Sequence, residues 1–487
     1  ESGCLAGETL ITRRDTGERV MLKDLVGQVG VPIWAMNEEM KLVSATFSKV
    51  FSSGRKMVYE MRLKSGRIIK ASANHPFFKV SGFIRLDQLK AGDRLAIARE
   101  VVIDPKEIKP LTEGRLILLA HLIGDGCYLK KQPLHYTNSD KELIDLVLKV
   151  AEEEFEVKPR IIKQKNWWHL YLPGKEKLAR GRRNPIVKWL DEDLGIFNQH
   201  SREKVIPSLV FEQSRDKISL FLRHLWSTDG CVHLNQKVKG PKVRIYYASG
   251  NRALVEQVSH LLLRLGIMSK ICSSKKPGYE DMWMTTISGK AEQMKFLNKI
   301  GGAGEKSKVV VKAVVTLGKI KENPNNDVIP KEIWIEIEET RKKAGLSTRE
   351  FHQKLGWAYS GTRRHLNGVS RDRLGKICQI LKSEKLERLL NSDLYWDEVA
   401  EIRQLGEAEV FDATVPKHVS FLANDIVVHN SIEQDADVVM FLYREDDDNL
   451  EDYKLSIAKH RNGPLRTLDL RFRGDRIRFF GMEKGRN

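Results

Sequence analysis

The sequence predicts a multidomain protein. An all-β unit is split between two distant stretches of the chain. Between them lie an α+β unit made of a duplicated segment and a small helical region, and a short β-rich tail follows. Three observations carry this. The chain has 487 residues, more than one hydrophobic core ordinarily serves. Short alternating runs broken by glycine turns fill the stretch from Cys4 to about Arg99 and return near the other end. A segment in the middle occurs twice.

The first β stretch reads from runs such as Glu8–Thr12, Val58–Arg62 and Arg67–Ala71, with Lys64-Ser-Gly66 and Ala91-Gly-Asp93 as turns. Its return is predicted as two runs, Tyr395–Ile402 and Ala408–Val428. The duplication lies between about Leu111 and Asn323. Leu118-Leu-Ala-His-Leu-Ile-Gly-Asp-Gly126 is echoed by Leu222-Arg-His-Leu-Trp-Ser-Thr-Asp-Gly230, and Tyr136–Asp140 by Tyr247–Asn251. An amphipathic helix is expected after each echo, over Glu142–Glu154 and Ala253–Leu265. The two Asp-Gly pairs lie 104 residues apart, from Asp125 to Asp229. Helical periodicity fills Lys331–Leu390. The tail holds four strand-like runs, Val438–Tyr443, Lys454–Ala458, Leu468–Phe472 and Arg476–Phe480. So short a tail is a poor core by itself and reads as the end of something larger.

Formal net charge is +18, and such an excess of Lys and Arg points to a polyanion, most simply nucleic acid. Five cysteines, with no C-x-x-C pair, argue against a disulfide scaffold or a structural zinc site and for a reducing, cytoplasmic compartment. The longest mostly apolar run, Leu116–Ile123, is too short to span a bilayer, so no membrane partner is expected. Glu-Ser-Gly-Cys is no signal peptide, and a start without Met reads as a fragment or a chain cut from something longer.

Cys4 and the run His429-Asn430-Ser431 carry a specific chemistry. A thiol directly after Gly3 can attack the preceding carbonyl and turn an amide into a thioester. The Ser431 hydroxyl can take over that acyl group. The Asn430 side-chain amide can attack its own carbonyl, cyclise and cut the chain. Each step needs a proton donor or acceptor, and His75 and His429 can serve because imidazole titrates near neutrality. Singly, a Cys is usually packing and Asn-Ser usually a turn.

Together these residues resemble an intein. Cys4-Leu-Ala-Gly-Glu-Thr-Leu-Ile11 looks like an intein start. Ala71-Ser-Ala-Asn-His75 resembles the T-x-x-H motif, with Ser72 in place of Thr. Val410–Val415, Phe421–Asp425 and Val428–Ser431 resemble the terminal motifs. Glu1-Ser-Gly3 joined to Ser431–Asp437 resembles the DnaB replicative helicase. The resemblance implies an all-β Hint horseshoe for splicing. It implies that Cys4 starts the acyl shift while Ser72 and His75 activate the Gly3–Cys4 bond. Asp412 would stand near Cys4, Ser431 would receive the acyl group, and Asn430 would cyclise with help from His429. One departure stands out. The family often has His-Asn-Phe before the last strand, whereas Val419-Ser-Phe421 is aligned here, with His418 one position early. On a strand one position means the opposite face, so that role is not carried to His418.

Asp125 and Asp229 each end an apolar helix-like run. Metal-assisted phosphodiester hydrolysis needs carboxylates beside the scissile phosphate, and Mg2+ suits an oxygen-only site. Gly124, Gly126, Thr228 and Gly230 would let two helices approach closely. The pair resembles LAGLIDADG homing endonucleases, α+β pseudo-dimers that cut double-stranded DNA. That implies Asp125 and Asp229 as metal ligands and Lys204 as an active-site lysine, for which a solvated surface lysine fits nearly as well. The expected partner is the uninterrupted helicase gene junction. His121 and Arg223 interrupt the usual apolar motif, and Cys127 and Cys231 read as packing residues. Lys158–Lys165 and Lys237–Arg244 alternate charge with apolar residues, so one face can pack while Lys242 and Arg244 track phosphates. Trp167 and Trp168 read as sheet packing.

Leu346–Gly356 followed by Tyr359–Gly368 resembles a helix-turn-helix. Ser347 and Glu350 would form a capping box, and Arg363 and Arg364 would face DNA. A plain helical spacer fits equally. Leu455–Pro464 resembles the last strand of a RecA-like α/β helicase motor, which implies a homo-hexamer in which Lys459 and Arg461 reach a neighbour's ATP. No G-x-x-x-x-G-K-[ST] phosphate loop is present in this chain. The resemblances divide the chain into an upstream helicase flank (1–3), the first splicing half (4–105), the endonuclease (106–330), the helical region (331–392), the second splicing half (393–430) and the downstream helicase fragment (431–487). An intein whose nuclease only binds DNA is the alternative. A DNA-binding regulator led by the helix-turn-helix is a third reading, which the splice-junction residues oppose.

Overall fold

The computed structural model describes residues 3–481 apart from 104–109, 175–182, 236–241, 275–277, 279–280, 323–326, 358–364, 431–437, 444–450, 461–463, 465 and 474–477. Strands Lys49–Leu63 and Leu394–Thr414 form the spine of the splicing unit. They pair antiparallel from Leu63↔Val399 to Lys49↔Thr414. The two runs expected over 395–402 and 408–428 are thus not two. A continuous strand of 21 residues runs through Gln404–Glu407, and its register shifts between Val399 and Glu401, Gln404 and Gly406, and Glu409 and Phe411. Such bulges bend a strand and sharpen its twist, which lets one ladder serve two arms of a curved sheet. Gly406 at φ +131° supplies one bend.

The sheet order is Leu5–Ala6, Ile68–Ser72, Lys49–Leu63, Leu394–Thr414, Arg94–Ala98, Ile426–His429, Pro76–Lys79, Gly82–Arg85. Ser420–Ala423 pairs with Ile426–His429 as a hairpin. Strands from both ends of the chain therefore alternate in one sheet. Their inward residues, among them Leu5, Met61, Leu95, Phe411 and Val428, share one core.

The duplicated unit folds as two halves of like topology. Helix Glu113–Asp125 leads to strands Gly126–Cys127 and His135–Asn138, helix Lys141–Glu154, and strands Arg160–Lys163 and Trp168–Tyr171. Helix Arg215–Asp229 leads to Gly230–Asn235, Lys242–Ser249, helix Arg252–Arg264, Lys270–Ser274 and Met282–Ile287. In both four-stranded sheets the strands run first, second, fourth, third. One core spans both halves. The two motif helices cross at Gly124, where an added Cβ would lie 2.0 Å from Thr228 Oγ1. Gly126 and Gly230 act differently from expectation. A Cβ there would strike Leu122 and Trp226 of the same helix, so these glycines permit the turn from helix to strand and not the helix crossing.

Helices Ile333–Lys343, Thr348–Lys354, Arg371–Leu381 and Glu384–Asn391 form the helical region. Ser347 and Glu350 make the expected capping box. Its core merges with Ala96, Ala98, Leu394 and Trp396 of the splicing sheet. The tail strands Val438–Tyr443, Asp452–His460, Arg466–Arg473 and Arg478–Gly481 pair antiparallel in chain order, leaving Met440, Leu442, Phe479 and Phe480 exposed. No helix among the described residues is long and apolar enough to cross a membrane.

The helix crossing makes a direct prediction. Gly124→Val should lower unfolding stability by about 2 kcal/mol or more, because it overpacks a contact that has no slack. Thermal unfolding measures this, and an unchanged midpoint would contradict the crossing.

Candidate functional site

The first centre forms where Leu5–Ala6 enters the sheet between Ile68–Ser72 and Leu394–Thr414. Cys4 is fully buried beside Val58 and Val410. Its backbone N–H donates to Ser72 Oγ at 2.9 Å, and its carbonyl accepts from the Ser72 N–H at 2.9 Å. The Ser72 hydroxyl also meets Asn74 Oδ1 at 2.7 Å, so the serine is fixed from both sides. The register Leu5↔Phe411 brings Cys4 level with Asp412 on the facing strand. Asp412 is buried, and its Oδ1 accepts from the Ala413 N–H at 2.8 Å. Lys56 Nζ stands 3.5 Å from Cys4 Sγ.

His75 closes this centre. A Cβ on Gly3 would lie 2.4 Å from His75 Cα, so the Gly3–Cys4 bond packs against the His75 backbone. Burial pushes the His75 imidazole down to about 4; the Gly3 backbone opposes that shift and nearby His429 adds to it. The ring is therefore neutral near pH 7 and keeps a lone pair for a proton. The pairing of Val428 with Phe77 brings the two ends of the segment 4–430 together here.

The second junction lies on the hairpin next door. Val428 pairs with Phe77, two residues past His75. The His429 ring packs edge-on against Phe83 at 4.6 Å, and its Nδ1 meets the Asn430 carbonyl oxygen. Burial lowers the His429 pKa, and the Asn430 backbone opposes that. Asn430 is buried. Its Nδ2 donates to Val415 O at 3.0 Å and His418 O at 2.7 Å, and its N–H to Val419 O at 3.0 Å. His418 thus holds Asn430 through its main chain, and Val419, at the aligned position, is 53% exposed. Ser431 lies outside the described residues.

The other centre sits at the C-termini of the crossing helices. Burial raises the Asp125 carboxyl to about 6, and Asp229 adds to the rise while Asn138, donating to Asp125 Oδ2 at 2.9 Å, opposes it. Asp229 is also raised by the protein packed around it, although its edge is open to solvent. Lys204 is no solvated surface lysine. It is 6% exposed, and its Nζ donates to the carbonyls of Leu122, Gly124 and Gly126 at 3.1, 3.3 and 2.6 Å. Burial brings it down to about 8 against the pull of Asp229 and Asp125.

Lys306 repeats the arrangement in the second half, donating to Trp226, Ser227, Thr228 and Gly230 carbonyls at 3.0, 3.0, 2.8 and 2.6 Å. It lies 102 residues after Lys204, near the offset of the two aspartates, and extending the repeat to lysines would have found it. Lys56 and Asn74 carried no comparable signal. His121 and His224, the former expected as an interruption, meet at Nε2···Nδ1 3.1 Å between the motif helices, with Tyr136 OH 2.9 Å from His121 Nδ1.

Lys242 and Arg244 are exposed on their strand while Val243 and Ile245 are buried, as the alternation requires. Cys127 and Cys231 are half-buried on strands and do not pack the core. Trp167 is 41% exposed and its ring lies edge-on against His169 of the sheet, whereas Trp168 packs against the core. Arg363, Arg364 and Arg461 lie outside the described residues, and Lys459 is placed only by its strand, Asp452–His460.

The carboxylate pair predicts a pH effect. A carboxyl raised in the fold gives stability that is complete at acid pH and is lost as pH rises through about 6. Asp125→Asn should therefore raise the midpoint of thermal unfolding at pH 8 and change it little at pH 4. A midpoint that falls at pH 8 would contradict the assigned strain.

Two family models match overlapping stretches of the chain. The intein splicing domain matches residues 11–430, and the DnaB-like helicase C-terminal domain matches 413–481. The replicative DNA helicase DnaB of Synechocystis sp. is 40% identical over 496 residues, which covers 99% of this chain and 56% of that protein. Its counterpart from Rhodothermus marinus is 40% identical, covering 98% and 52%. The chain thus spans about half the length of the curated relatives it matches. Among solved structures, a DnaB intein from Synechocystis sp. PCC 6803 is 45% identical over 20% of this chain and 70% of its own, with TM-score 0.20. The structure of I-DmoI in complex with DNA and Mn is 18% identical over 39% of this chain and 97% of its own, with TM-score 0.28.

Proposed function

We propose that this chain, which belongs to the intein splicing domain family, cuts out its own residues 4–430 and joins Gly3 to Ser431. The observation that supports this best is the meeting of both junctions on one sheet, with Ser72 and His75 at Gly3–Cys4 and His429 at the Asn430 carbonyl. The His75 lone pair takes the thiol proton as Cys4 Sγ attacks the Gly3 carbonyl carbon, and the imidazole passes that proton to the departing amine as the C–N bond breaks. Lys56 and Asp412 hold charge and protons at the sulfur. The Ser431 hydroxyl then takes the acyl group from sulfur, which returns as the thiol. Asn430 Nδ2 attacks its own carbonyl carbon while His429 donates a hydrogen bond to that oxygen. The Asn430–Ser431 bond breaks, the cyclic imide leaves with the excised piece, and the freed Ser431 amine captures the acyl group as an ordinary amide. In this reading the splicing halves span 4–105 and 393–430.

Residues 106–330 act in this reading as a homing endonuclease that cuts double-stranded DNA at the uninterrupted helicase gene junction. Two oxygen-donor carboxylates side by side, with Asp229 raising the pKa of Asp125, fit a divalent cation, with Mg2+ proposed. When bound, the cation neutralises the carboxylates and lowers the pKa of a water. Asp125 and Asp229 hold it. Lys204 and Lys306 lock the helix ends that aim the carboxylates, and their charge faces the phosphate. The helical region 331–392 adds a DNA contact through Arg363 and Arg364. The flanks 1–3 and 431–487 belong to a cytoplasmic, hexameric replicative helicase, in which Lys459 and Arg461 would reach a neighbour's ATP.

Splicing is tested by intact mass. The chain with native flanks should yield an excised piece and a ligated product, and Cys4→Ala with Asn430→Ala should stay whole. Equal masses for both would refute it. The nuclease is tested with Mg2+ and a duplex spanning the junction. Asp125→Asn and Asp229→Asn should each lower cleavage by at least about 100-fold, the loss of several kcal/mol of transition-state stabilisation, and cleavage at the full rate would refute the metal site.

A further inference from the structure

In each nuclease half the helices cover one face of the sheet and leave the other open. The open faces begin where the strands leave Asp125 and Asp229, so they continue from the carboxylate site. They differ in chemistry. In the second half, Arg244 and Lys242 pair with His233 and Asn235, and Lys270 stands two strands away. All three cations are exposed.

The first half carries rings instead. Trp167 Nε1 donates to His169 Nε2 at 3.2 Å. An indole N–H can only donate, so His169 Nε2 is the acceptor and its Nδ1 carries the proton, given to Thr137 Oγ1 at 2.9 Å. Both nitrogens are engaged, and the ring offers a neutral surface. It stacks on Tyr171 at 5.8 Å and meets His135 at 5.4 Å. His135 Nδ1 donates to Pro133 O at 2.8 Å, a carbonyl that can only accept. Arg160 lies over the Tyr171 ring at 5.5 Å.

We infer that the two halves of the DNA target are read by unlike chemistries, an inference that rests on the nuclease reading above. Arg244 and Lys242 read guanine O6 and N7 and neighbouring phosphates in one half-site. The ladder of His135, His169, Tyr171 and Trp167 reads the other by apolar contact with thymine methyls. Cation contacts release counterions and depend steeply on salt; contacts of neutral rings do not.

The test measures binding of the full chain to a synthetic duplex spanning the uninterrupted junction, with Ca2+ in place of Mg2+, across a salt series. Lys242→Ala with Arg244→Ala should flatten the slope of log affinity against log salt by about two, near one per cation lost. It should also relax guanine preference in one half-site only. Trp167→Ala with His169→Ala should weaken binding about tenfold or more at every salt concentration, with the slope unchanged and discrimination lost in the other half-site. Unfolding midpoints equal to that of the parent chain show that the variants fold, and Trp167→Phe with His169→Phe should restore part of the affinity. Slopes that fall equally in both variants, or ladder variants that bind normally, overturn the inference alone. A parent chain that binds no duplex overturns the nuclease reading itself.

Discussion

The ladder between Lys49–Leu63 and Leu394–Thr414 is the interaction on which the splicing centre depends. It joins stretches more than 330 residues apart in sequence and sets where every neighbouring strand falls. Leu5–Ala6 is seated against Phe411 and Val410, which puts Cys4 beside Asp412. Arg94–Ala98 pairs with both the far end of this strand and Ile426, which places the hairpin ending in His429 and Asn430. The closure entropy of a long intervening loop grows only slowly with its length. A whole folded unit can therefore sit between the two strands without weakening the ladder much.

The inserted unit is docked and not merely tethered. Ile271 N donates to Ser65 O at 2.7 Å, and a Cβ on Gly66 would lie 2.2 Å from Ile271 O. His260 meets Asp425 at 3.0 Å in a buried pair, with Arg19 at 3.8 Å from the same carboxylate. Asp425 occupies the turn between the last two splicing strands. Its carboxyl is held well below the ordinary range by His260 and Arg19 in spite of burial. The nuclease halves repeat the same economy of design: carbonyls at each helix end are capped by a buried lysine, Lys204 or Lys306, and the carboxylates stand just beyond.

Much of this was legible in residue patterns because the chemistry demands particular atoms at chain junctions. A thiol, an amide and a hydroxyl at Cys4, Asn430 and Ser431 are informative without any fold. The duplicated Asp-Gly helices were legible because both copies kept their acid. Other features were not, for physical reasons. Strand pairing carries no local signal across hundreds of residues, so the bulged strand Leu394–Thr414 read as two pieces. Lys56 reaches Cys4 only through that pairing. Gly126 and Gly230 looked like helix-contact residues, but the clash that excludes a side chain there is with their own helix. Trp167 and Trp168 read alike as sheet packing, yet one lies against His169 and the other against the core. Where the resembling family often has a histidine, Val419 is exposed, and the Asn430 amide is held by the main-chain carbonyls of Val415 and His418.

The central claim is that the residues set around the Gly3–Cys4 bond let Cys4 attack it before Asn430 cyclises. The most direct measurement is hydroxylamine cleavage of the purified Asn430→Ala chain, followed by mass spectrometry. Hydroxylamine cuts thioesters and oxygen esters but spares amides. The account predicts release of the segment before Cys4 from Asn430→Ala, and its loss when Cys4→Ala is added. An Asn430→Ala chain that hydroxylamine leaves intact would contradict it.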